Sequence, residues 1–276
     1  MLKKYLHRSI QLLASAMHPT NKPEDPEPGF SGNYTSWQQA SEYATGYDAS
    51  GILDKVKTAT LKVKNGEAVY ERDSFVFDQL QHNWPLVAIM EKIAIEKALR
   101  LSVLDFGGSL GSGFNYLKKV LPAEVSLNWS IVEQPHFVEC GKECFENEEL
   151  KFFNTIEEVI SKRGMPDIVL LSSVLQYIPN HVEITEQLNN LKIENILVDR
   201  TAYLAEGNGF WTVQQVPVDI YEASYPAYFF SEKELSEKLF NYNKIYNFSD
   251  PFTPPQTVND IGVFWGGCLY KIKNGK

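Results

Sequence analysis

The chain has few cysteines, no long apolar run and no excess of basic residues. Its three cysteines, Cys140, Cys144 and Cys268, form no C-x-x-C pair and have no nearby histidine to complete a metal set. We therefore predict no disulfides and no metal site, but thiols packed in a reducing cytoplasm. No stretch is long and apolar enough to span a bilayer. The net charge of −9 disfavours nucleic acid as a partner, because binding to phosphates needs clustered Lys and Arg.

The most informative segment is the run from 103 to 113, which begins as an apolar strand and becomes a glycine-rich turn. Such a turn lets backbone N–H groups approach a nucleotide-like cofactor in front of the following helix. The dinucleotide fingerprint G-x-G-x-x-G is broken, because Phe106 stands where its first glycine would be. The pattern is instead acid-x-Gly-x-x-x-Gly, carried by Asp105, Gly107 and Gly111.

This pattern resembles motif I, D-x-G-x-G-x-G, of the class I S-adenosylmethionine-dependent methyltransferases, with Ser109 in place of the middle glycine. The resemblance implies an α/β fold: a Rossmann-like, mostly parallel sheet with an antiparallel last strand and helices on both faces. It also implies S-adenosylmethionine as the cofactor. From the turn we expect cofactor contacts from Asp105, Phe106, Gly107, Gly108, Ser109 and Gly111.

The second half of the chain supplies the other strands that such a sheet needs. Apolar patterning predicts parallel strands at 128–133, 150–153, 167–172 and 195–201. An antiparallel closing pair is predicted at 244–248 and 263–272, in which Gly266 and Gly267 indicate a bulge or a close backbone approach.

Polar residues follow these predicted strands where a cofactor would lie. Glu133 can accept hydrogen bonds from both ribose hydroxyls, and Gln134 stands beside it. Asn154 is either a contact for the adenine amino group or only a turn residue. Ser172 and Ser173 open a segment, S-S-V-L-Q-Y, that resembles the S-x-V-L-x-H segment of these methyltransferases and adds two expected cofactor contacts.

Methyl transfer to a hydroxyl needs a base within hydrogen-bond reach. Asp199 and His181 are our candidates, because both follow strands whose carboxyl ends should face the cleft. Asp199 could instead orient Arg200, and His181 could be an ordinary surface histidine. Arg200 suits a phosphate or an acidic sugar, or else a salt bridge with Asp199 or Asp219.

Further acceptor contacts are expected from side chains that suit sugar hydroxyls, although ordinary packing explains the same residue types. These expected substrate contacts are Tyr177, Arg200, Tyr203, Gln214 and Tyr225. The charged triplet Glu71, Arg72 and Asp73 is interpreted either as a clamp on a charged acceptor or as a solvated ion-pair cluster.

Five short segments indicate a more specific resemblance within the class I methyltransferases. Together they are similar to a family of bacterial methyltransferases associated with surface-polysaccharide loci, and the similarity extends over about 30–273. The family implies a role in lipopolysaccharide or capsule modification and a small-molecule or glycan acceptor. The segments are S-G-N-Y-T-S-W at 31–37, T-G-Y-D at 45–48, V-Y-E-R-D at 69–73, V-D-R-T at 198–201 and S-Y-P-A at 224–227.

The chain divides into four predicted regions: an amphipathic helix at 1–20, a linker at 21–29, a mainly helical cap at 30–98 and the methyltransferase domain at 99–276. The first helix is interpreted either as a peripheral contact with the inner face of a membrane or as a helix docked on protein. In the cap, Trp37, Tyr47, Tyr70 and Trp84 are candidates for stacking on an acceptor or for core packing.

We expect a cytoplasmic methyltransferase that acts on a hydroxyl or amine of a sugar or sugar-linked intermediate. Two alternatives stay open at this point. One is an NAD-dependent nucleotide-sugar oxidoreductase or epimerase, against which Phe106 counts. The other is a non-catalytic scaffold of a polysaccharide assembly system, for which the departures at Ser109 and Tyr177 count.

Overall fold

A computed structural model describes residues 28–46, 50–217 and 223–273. The predicted helix at 1–20, nearly all of the predicted linker, the aromatic candidate Tyr47 and the candidate salt-bridge partner Asp219 lie outside the described residues. Within the described ranges, no helix is long and apolar enough to cross a membrane. The predicted membrane contact of the first helix stays a prediction.

The described chain alternates strands and helices through its central part. The strands are β1 Gly29–Tyr34, β2 Tyr70–Arg72, β3 Phe75–Phe77, β4 Arg100–Phe106, β5 Ser126–Val132, β6 Leu150–Phe153, β7 Ile168–Ser172, β8 Asn195–Leu204, β9 Phe210–Gln215, β10 Ser224–Phe229, β11 Tyr242–Ser249, β12 Gln256–Val258 and β13 Ile261–Ile272. The helices are α1 Trp37–Ser41, α2 Ser50–Lys64, α3 Trp84–Glu96, α4 Ser112–Val120, α5 Pro135–Cys144, α6 Ile156–Arg163, α7 His181–Leu191 and α8 Glu232–Lys238.

The main sheet has the strand order β11-β13-β8-β7-β4-β5-β6, with β12 paired to β13. Strands β4 to β8 pair in parallel, and β13 runs antiparallel to both of its long neighbours. The order reverses at β4, where the chain turns from one half of the sheet to the other. Such a point leaves a crevice outside the carboxyl ends of the strands, where open α/β sheets bind ligands. The predicted mostly parallel, Rossmann-like sheet with its antiparallel strand is confirmed.

Helices cover both faces of this sheet, because the buried strands are apolar on both sides. Along β4, Val103 faces a core that includes Met90 of α3 and Leu117 of α4, whereas its neighbour Leu104 faces a core that includes Val159 of α6 and Leu188 of α7. The two faces therefore fix β4 between two packed layers. This holds the turn that follows β4 at a defined position.

The predicted cap is mainly helical, but it also contains three strands. β1 pairs with β9, and β9 pairs with β10, in a separate antiparallel sheet. The sequence gives little sign of β1, because its side chains are exposed or half-buried and its partner lies far along the chain. Strands β2 and β3 are three residues each and form a hairpin. The segment after β8 contributes β9 and β10 to this small sheet.

A bulge interrupts the pairing of β8 and β13, as the glycine pair predicts. Gly266 pairs with Thr201 and Cys268 with Val198, so two residues of β8 lie opposite Gly267. A Cβ on Gly267 would lie 2.6 Å from the carbonyl oxygen of Val198, and a Cβ on Gly266 would lie 2.6 Å from the carbonyl oxygen of Phe248. Glycine is therefore required in β13, where its backbone approaches the bulged strand β8 and the neighbouring strand β11.

We expect Gly267→Ala to lower the free energy of unfolding by about 1–3 kcal/mol, because the methyl group meets backbone that cannot move without disturbing the bulge. Urea unfolding measures this change. Gly51→Ala in α2 is the matched control, since nothing lies within 4 Å of its added Cβ, and it should be neutral or stabilising. Equal destabilisation by the two substitutions would contradict the role given to Gly267.

Candidate functional site

The carboxyl ends of β4, β5, β7 and β8 open onto one cleft with a volume of about 1090 Å³, counted to its open mouth. The β2–β3 hairpin and the segment before α3 form its opposite wall. Its lining is Ile52, Val56, Tyr70, Glu71, Arg72, Asp73, Ser74, Gln81, Asn83, Leu86, Asp105, Gly107, Gly108, Ser109, Ser112, Gly113, Tyr116, Glu133, Leu170, Ser172, Ser173, Asp199, Arg200 and Phe252.

The glycine-rich turn forms the floor of the cleft. Gly107 has φ +72°, and a Cβ there would lie 2.3 Å from Val174 Cγ2. Ser109 takes φ +53°, so it adopts the left-handed conformation that glycine more commonly supplies. Its backbone N–H donates to Glu133 Oε1 at 3.3 Å. The serine departure therefore preserves the turn and links it to the acid at the end of β5.

Asp105 lies beneath this turn and is buried, with 3% of its surface exposed. Trp129 Nε1 donates to Asp105 Oδ2 at 3.0 Å. Burial raises the pKa of Asp105 to about 7, and the charge of Glu133 adds to the rise, while the Trp129 hydrogen bond opposes it. A Cβ on Gly108 would lie 2.4 Å from Asp105 Oδ2, so the acid and the turn are packed directly against each other.

Glu133 follows β5 at the edge of the cleft. Its Oε2 accepts the backbone N–H of Gln134 at 2.7 Å, and its Oε1 accepts that of Ser109. Burial raises the pKa of Glu133, and these two hydrogen bonds lower it. Both oxygens keep lone pairs for a ligand, since a carboxylate accepts about four hydrogen bonds. This geometry suits the vicinal hydroxyls of a ribose.

Glu71 closes the cleft from the β2–β3 hairpin and is 1% exposed. The Ser112 hydroxyl, at the first position of α4, donates to Glu71 Oε1, whereas Oε2 has no hydrogen-bond partner in the part of the chain that the structure describes. Burial raises the pKa of Glu71 to about 7. The Ser112 hydrogen bond and the Ser74 backbone lower this pKa, and the charge of Asp73 raises it.

A second group of charged side chains lines the outer part of the cleft. Arg200 Nη2 donates to Asp73 Oδ2 at 2.9 Å, and the Arg72 guanidinium lies over the Phe252 ring at 4.3 Å. Burial and the nearby Arg200 charge lower the pKa of Arg72. Among the described residues, buried Arg72 Nη1 and Gln81 Oε1 have no hydrogen-bond partner. The hydrogen-bonding capacity of these two atoms is therefore unused within the described chain.

Asp199 is 1% exposed and lies at the bulge in β8. It accepts from Ser172 Oγ at 3.0 Å and from Asn83 Nδ2 at 3.2 and 3.3 Å. Burial raises its pKa, against the lowering effect of Arg200, Ser172 and Asn83. Arg200 has φ +50°, which breaks the strand's alternation, so that Asp199 and Arg200 both line the cleft although they are neighbours.

Four of the expected cofactor residues lie beside the cleft and do not line it. Phe106 packs with the core on one face of the sheet, and Gly111 caps α4 with φ +101°. Gln134 is exposed at the start of α5. Asn154 is exposed and its backbone N–H bonds Glu158 Oε2, which is the arrangement of a helix-capping turn. A contact between Asn154 and adenine stays a prediction.

The expected acceptor residues other than Arg200 do not line the cleft. Tyr177 donates its hydroxyl to Gln214 Oε1 at 2.8 Å and packs edge-on against Tyr225. Tyr203 is buried and stacks on Phe264, away from the cleft. His181 is 6% exposed and packs against an aromatic cluster of Trp211, Tyr228 and Phe230.

His181 is therefore neither a surface histidine nor a group within reach of the cleft. His181 is the first residue of α7, and side chains of the small sheet that contains β9 and β10 cover it. Burial and the charge of Lys238 lower its pKa. Of the two expected bases, the structure brings only Asp199 to the cleft.

Sequence reasoning missed the other wall of the cleft. Asn83 was not singled out, although it caps α3 through its side chain and also donates to Asp199. Asp73 and Ser74 form a two-residue turn with φ +52° and +69°, without the glycine that usually indicates such a hairpin. The charged triplet at 71–73 was the available signal, but nothing in the sequence pairs it with the glycine turn.

Comparisons with known proteins found similar solved structures, but at low identity and low structural overlap. No protein-family model and no curated protein sequence matches the chain. A similar structure is the 1,6-didemethyltoxoflavin N1-methyltransferase of Burkholderia thailandensis, solved with its substrate and S-adenosylhomocysteine. It has 13% identity and a TM-score of 0.46, and the match covers 92% of this chain and 99% of that one.

Two further similar structures come from proteins described with sugars. The N-terminal domain of EvdMO1, solved with S-adenosylhomocysteine and D-fucose, has 12% identity and a TM-score of 0.43, covering 82% of this chain and 100% of that one. The amino pentose methyltransferase CalS10 of Micromonospora echinaspora, solved with S-adenosylmethionine, has 9% identity and a TM-score of 0.44, covering 67% and 89%. With these TM-scores below 0.5, the activity of this chain must be argued from its own residues.

The raised pKa of Glu71 predicts a dependence of stability on pH. A carboxyl group whose folded pKa lies above its unfolded value binds more protons in the folded state, so stability falls as pH rises between the two values. For Glu71 this window runs from 4.5 to about 7, and its share of the loss is on the order of 2 kcal/mol. Glu71→Gln should therefore unfold at higher urea concentration than wild type at pH 8, with a smaller difference at pH 5.

The control is Glu67→Gln, which removes the same charge from an exposed position shortly before β2. It should leave the difference between the wild-type midpoints at pH 5 and pH 8 unchanged. If Glu71→Gln and Glu67→Gln respond alike at both pH values, the buried charge of Glu71 does not set this dependence.

Proposed function

We propose that this protein is an S-adenosylmethionine-dependent methyltransferase that modifies a hydroxyl or amine of a sugar or sugar-linked intermediate. One observation carries the proposal. Three buried or half-buried carboxylates, Asp105, Glu133 and Glu71, surround the glycine turn, and none has a salt bridge to a described residue. Such a site favours a cationic ligand with hydroxyl groups.

This charge distribution distinguishes the two cofactor classes. A dinucleotide places its pyrophosphate at the N-terminus of the helix after the glycine turn. Here Glu71 already occupies that end of α4 through its contact with Ser112, so a pyrophosphate would meet a carboxylate. S-adenosylmethionine brings a sulfonium cation and no phosphate, and it supplies an electrophilic methyl group when bound. The residues of the cleft therefore fit S-adenosylmethionine better than NAD.

The outer part of the cleft supports a polar acceptor. Phe252 and Arg72 offer stacked planar surfaces, Gln81 Oε1 offers a free acceptor atom, and Arg72 Nη1 offers a free donor. These groups suit a ring that carries hydroxyls. Arg200, held by Asp73, can add a bidentate contact to a phosphate or carboxylate substituent. A sugar attached to an anionic group satisfies the whole set, and such an acceptor suits the surface-polysaccharide role that the family resemblance implies.

Asp199 is the base in this proposal. Its carboxylate lines the cleft, and the hydrogen bonds from Asn83 and Ser172 fix its orientation. A raised pKa makes the carboxylate a stronger proton acceptor than an aspartate in water. Asp199 would take the proton from the acceptor hydroxyl or amine, and the bound cofactor would supply the methyl group.

Calorimetric titration with S-adenosylmethionine, S-adenosylhomocysteine and NAD tests the cofactor. We expect the two adenosyl-sulfur ligands to bind and NAD not to bind. Glu133→Gln should weaken the binding of both adenosyl-sulfur ligands by about 1–3 kcal/mol, because the substitution removes a charged partner of the ribose hydroxyls. Binding of NAD alone would move the protein to the oxidoreductases. If none of the three ligands binds, the result would favour the alternative of a non-catalytic scaffold.

The role of Asp199 is tested by Asp199→Asn, which keeps the side-chain shape and the hydrogen bond from Ser172. We expect kcat to fall by about 10²–10⁴, while S-adenosylhomocysteine binding is retained. The assay follows release of S-adenosylhomocysteine with a panel of sugar phosphates and nucleotide sugars. His181→Ala is the comparison, and it should lower stability without a comparable loss of kcat per folded molecule. Full activity of Asp199→Asn would exclude Asp199 as the base.

A further inference from the structure

The free oxygen of Glu71 is the least satisfied carboxylate atom of the cleft. Glu71 is 1% exposed, and its Oε2 accepts no hydrogen bond from the described residues. Leaving a buried acceptor unpaired costs about 1–3 kcal/mol, and more where the acceptor is charged. The neighbouring side chain Asp73 is also acidic and adds repulsion. A ligand that binds in this cleft therefore gains most at Glu71 by presenting a cationic N–H donor.

The position of Glu71 indicates which hydrogen-bond donor of the proposed cofactor would lie next to it. S-adenosylmethionine carries three kinds of donor: the adenine amino group, the ribose hydroxyls and the α-ammonium group. Glu133 at the end of β5 suits the ribose hydroxyls, and the adenine amino group lies at the far end of the base from the ribose. Glu71 lies at the opposite side of the glycine turn, against Ser112 of α4. The α-ammonium group is the donor that remains.

Arg72 does not neutralise Glu71, although the two residues are adjacent. Successive side chains of a strand point to opposite faces, and Arg72 lies over Phe252 and Phe77 instead. Among the described residues, Glu71 makes no salt bridge with any Lys, Arg or His, so no cation of the described chain compensates its charge. The Glu71 carboxylate can therefore pair with a cationic group of a ligand.

We propose that Glu71 is the counter-ion of the α-ammonium group of the cofactor, and this inference rests on the proposed function. The contact is charge-assisted and buried, so it is stronger than a neutral hydrogen bond. It makes the cleft selective for adenosyl-sulfur ligands that retain their amino-acid end. Glu71 is thus a specificity-determining residue for the cofactor, whereas the sequence suggested only a clamp on a charged acceptor or an ion-pair cluster.

Three ligands distinguish the contribution of the contact between Glu71 and the α-ammonium group from that of the other contacts in the site. S-adenosylhomocysteine has the α-ammonium group, its desamino analogue has hydrogen in that place, and 5′-methylthioadenosine lacks the whole amino-acid end. Each is titrated calorimetrically at pH 8 into wild type, Glu71→Gln, Glu133→Gln and the surface-charge control Glu67→Gln. Glutamine keeps the size of the side chain and the hydrogen bond from Ser112, and retained binding of 5′-methylthioadenosine reports a folded cleft.

We expect Glu71→Gln to weaken the binding of S-adenosylhomocysteine by about tenfold or more and to leave the affinities for the other two ligands unchanged. Glu133→Gln should weaken all three ligands by a similar factor, because all three contain the ribose. An equal loss for the three ligands in Glu71→Gln, or no loss for S-adenosylhomocysteine, would overturn the role of Glu71 and leave the proposed function intact. If wild type binds none of the three, the proposed function fails and the inference fails with it.

Discussion

Burial of carboxylates around a glycine turn is the constraint on which the rest of this site depends. Asp105, Glu71 and Asp199 are each at most 3% exposed, and burial raises the pKa of all three. Burying a carboxylate lowers stability unless hydrogen bonds or a cation compensate. The chain supplies part of the hydrogen bonding, through Trp129 and Ser112. The remainder is available to a ligand, which gives the cleft a preference for positive charge before any substrate is considered.

The sheet supports this arrangement through two kinds of backbone irregularity. The left-handed conformations of Gly107 and Ser109 bring the turn over Asp105. The bulge in β8 and the left-handed conformation of Arg200 bring Asp199 and Arg200 to the same cleft. A non-glycine residue in a sparsely populated conformation costs about 1–3 kcal/mol and persists where the surrounding structure holds it. Here Gly266 and Gly267 leave the space that the bulge requires.

Local pattern was enough to predict the parallel strands of the main sheet, because β4, β6, β7 and the first half of β8 are short, mainly apolar runs. The predicted strand at 150–153 matches β6, and the predicted bulge lies where Gly266 and Gly267 place it. The same reasoning placed Glu133, Ser172 and Asp199 correctly at the carboxyl edge, since side chains that follow parallel strands share that edge. These inferences needed no knowledge of distant contacts.

The parts that could not be predicted depend on contacts between distant segments. β1 pairs with β9, and the β2–β3 hairpin faces the glycine turn, although neither short segment has a strong local signal. His181 follows a strand as a base would, yet the small sheet built by β9 and β10 covers it with aromatic side chains. A separate long-range contact, between the β2–β3 hairpin and α4, encloses Glu71. Local sequence therefore defines the edge of the sheet where the cofactor is proposed to bind, whereas tertiary packing decides which charged groups face it.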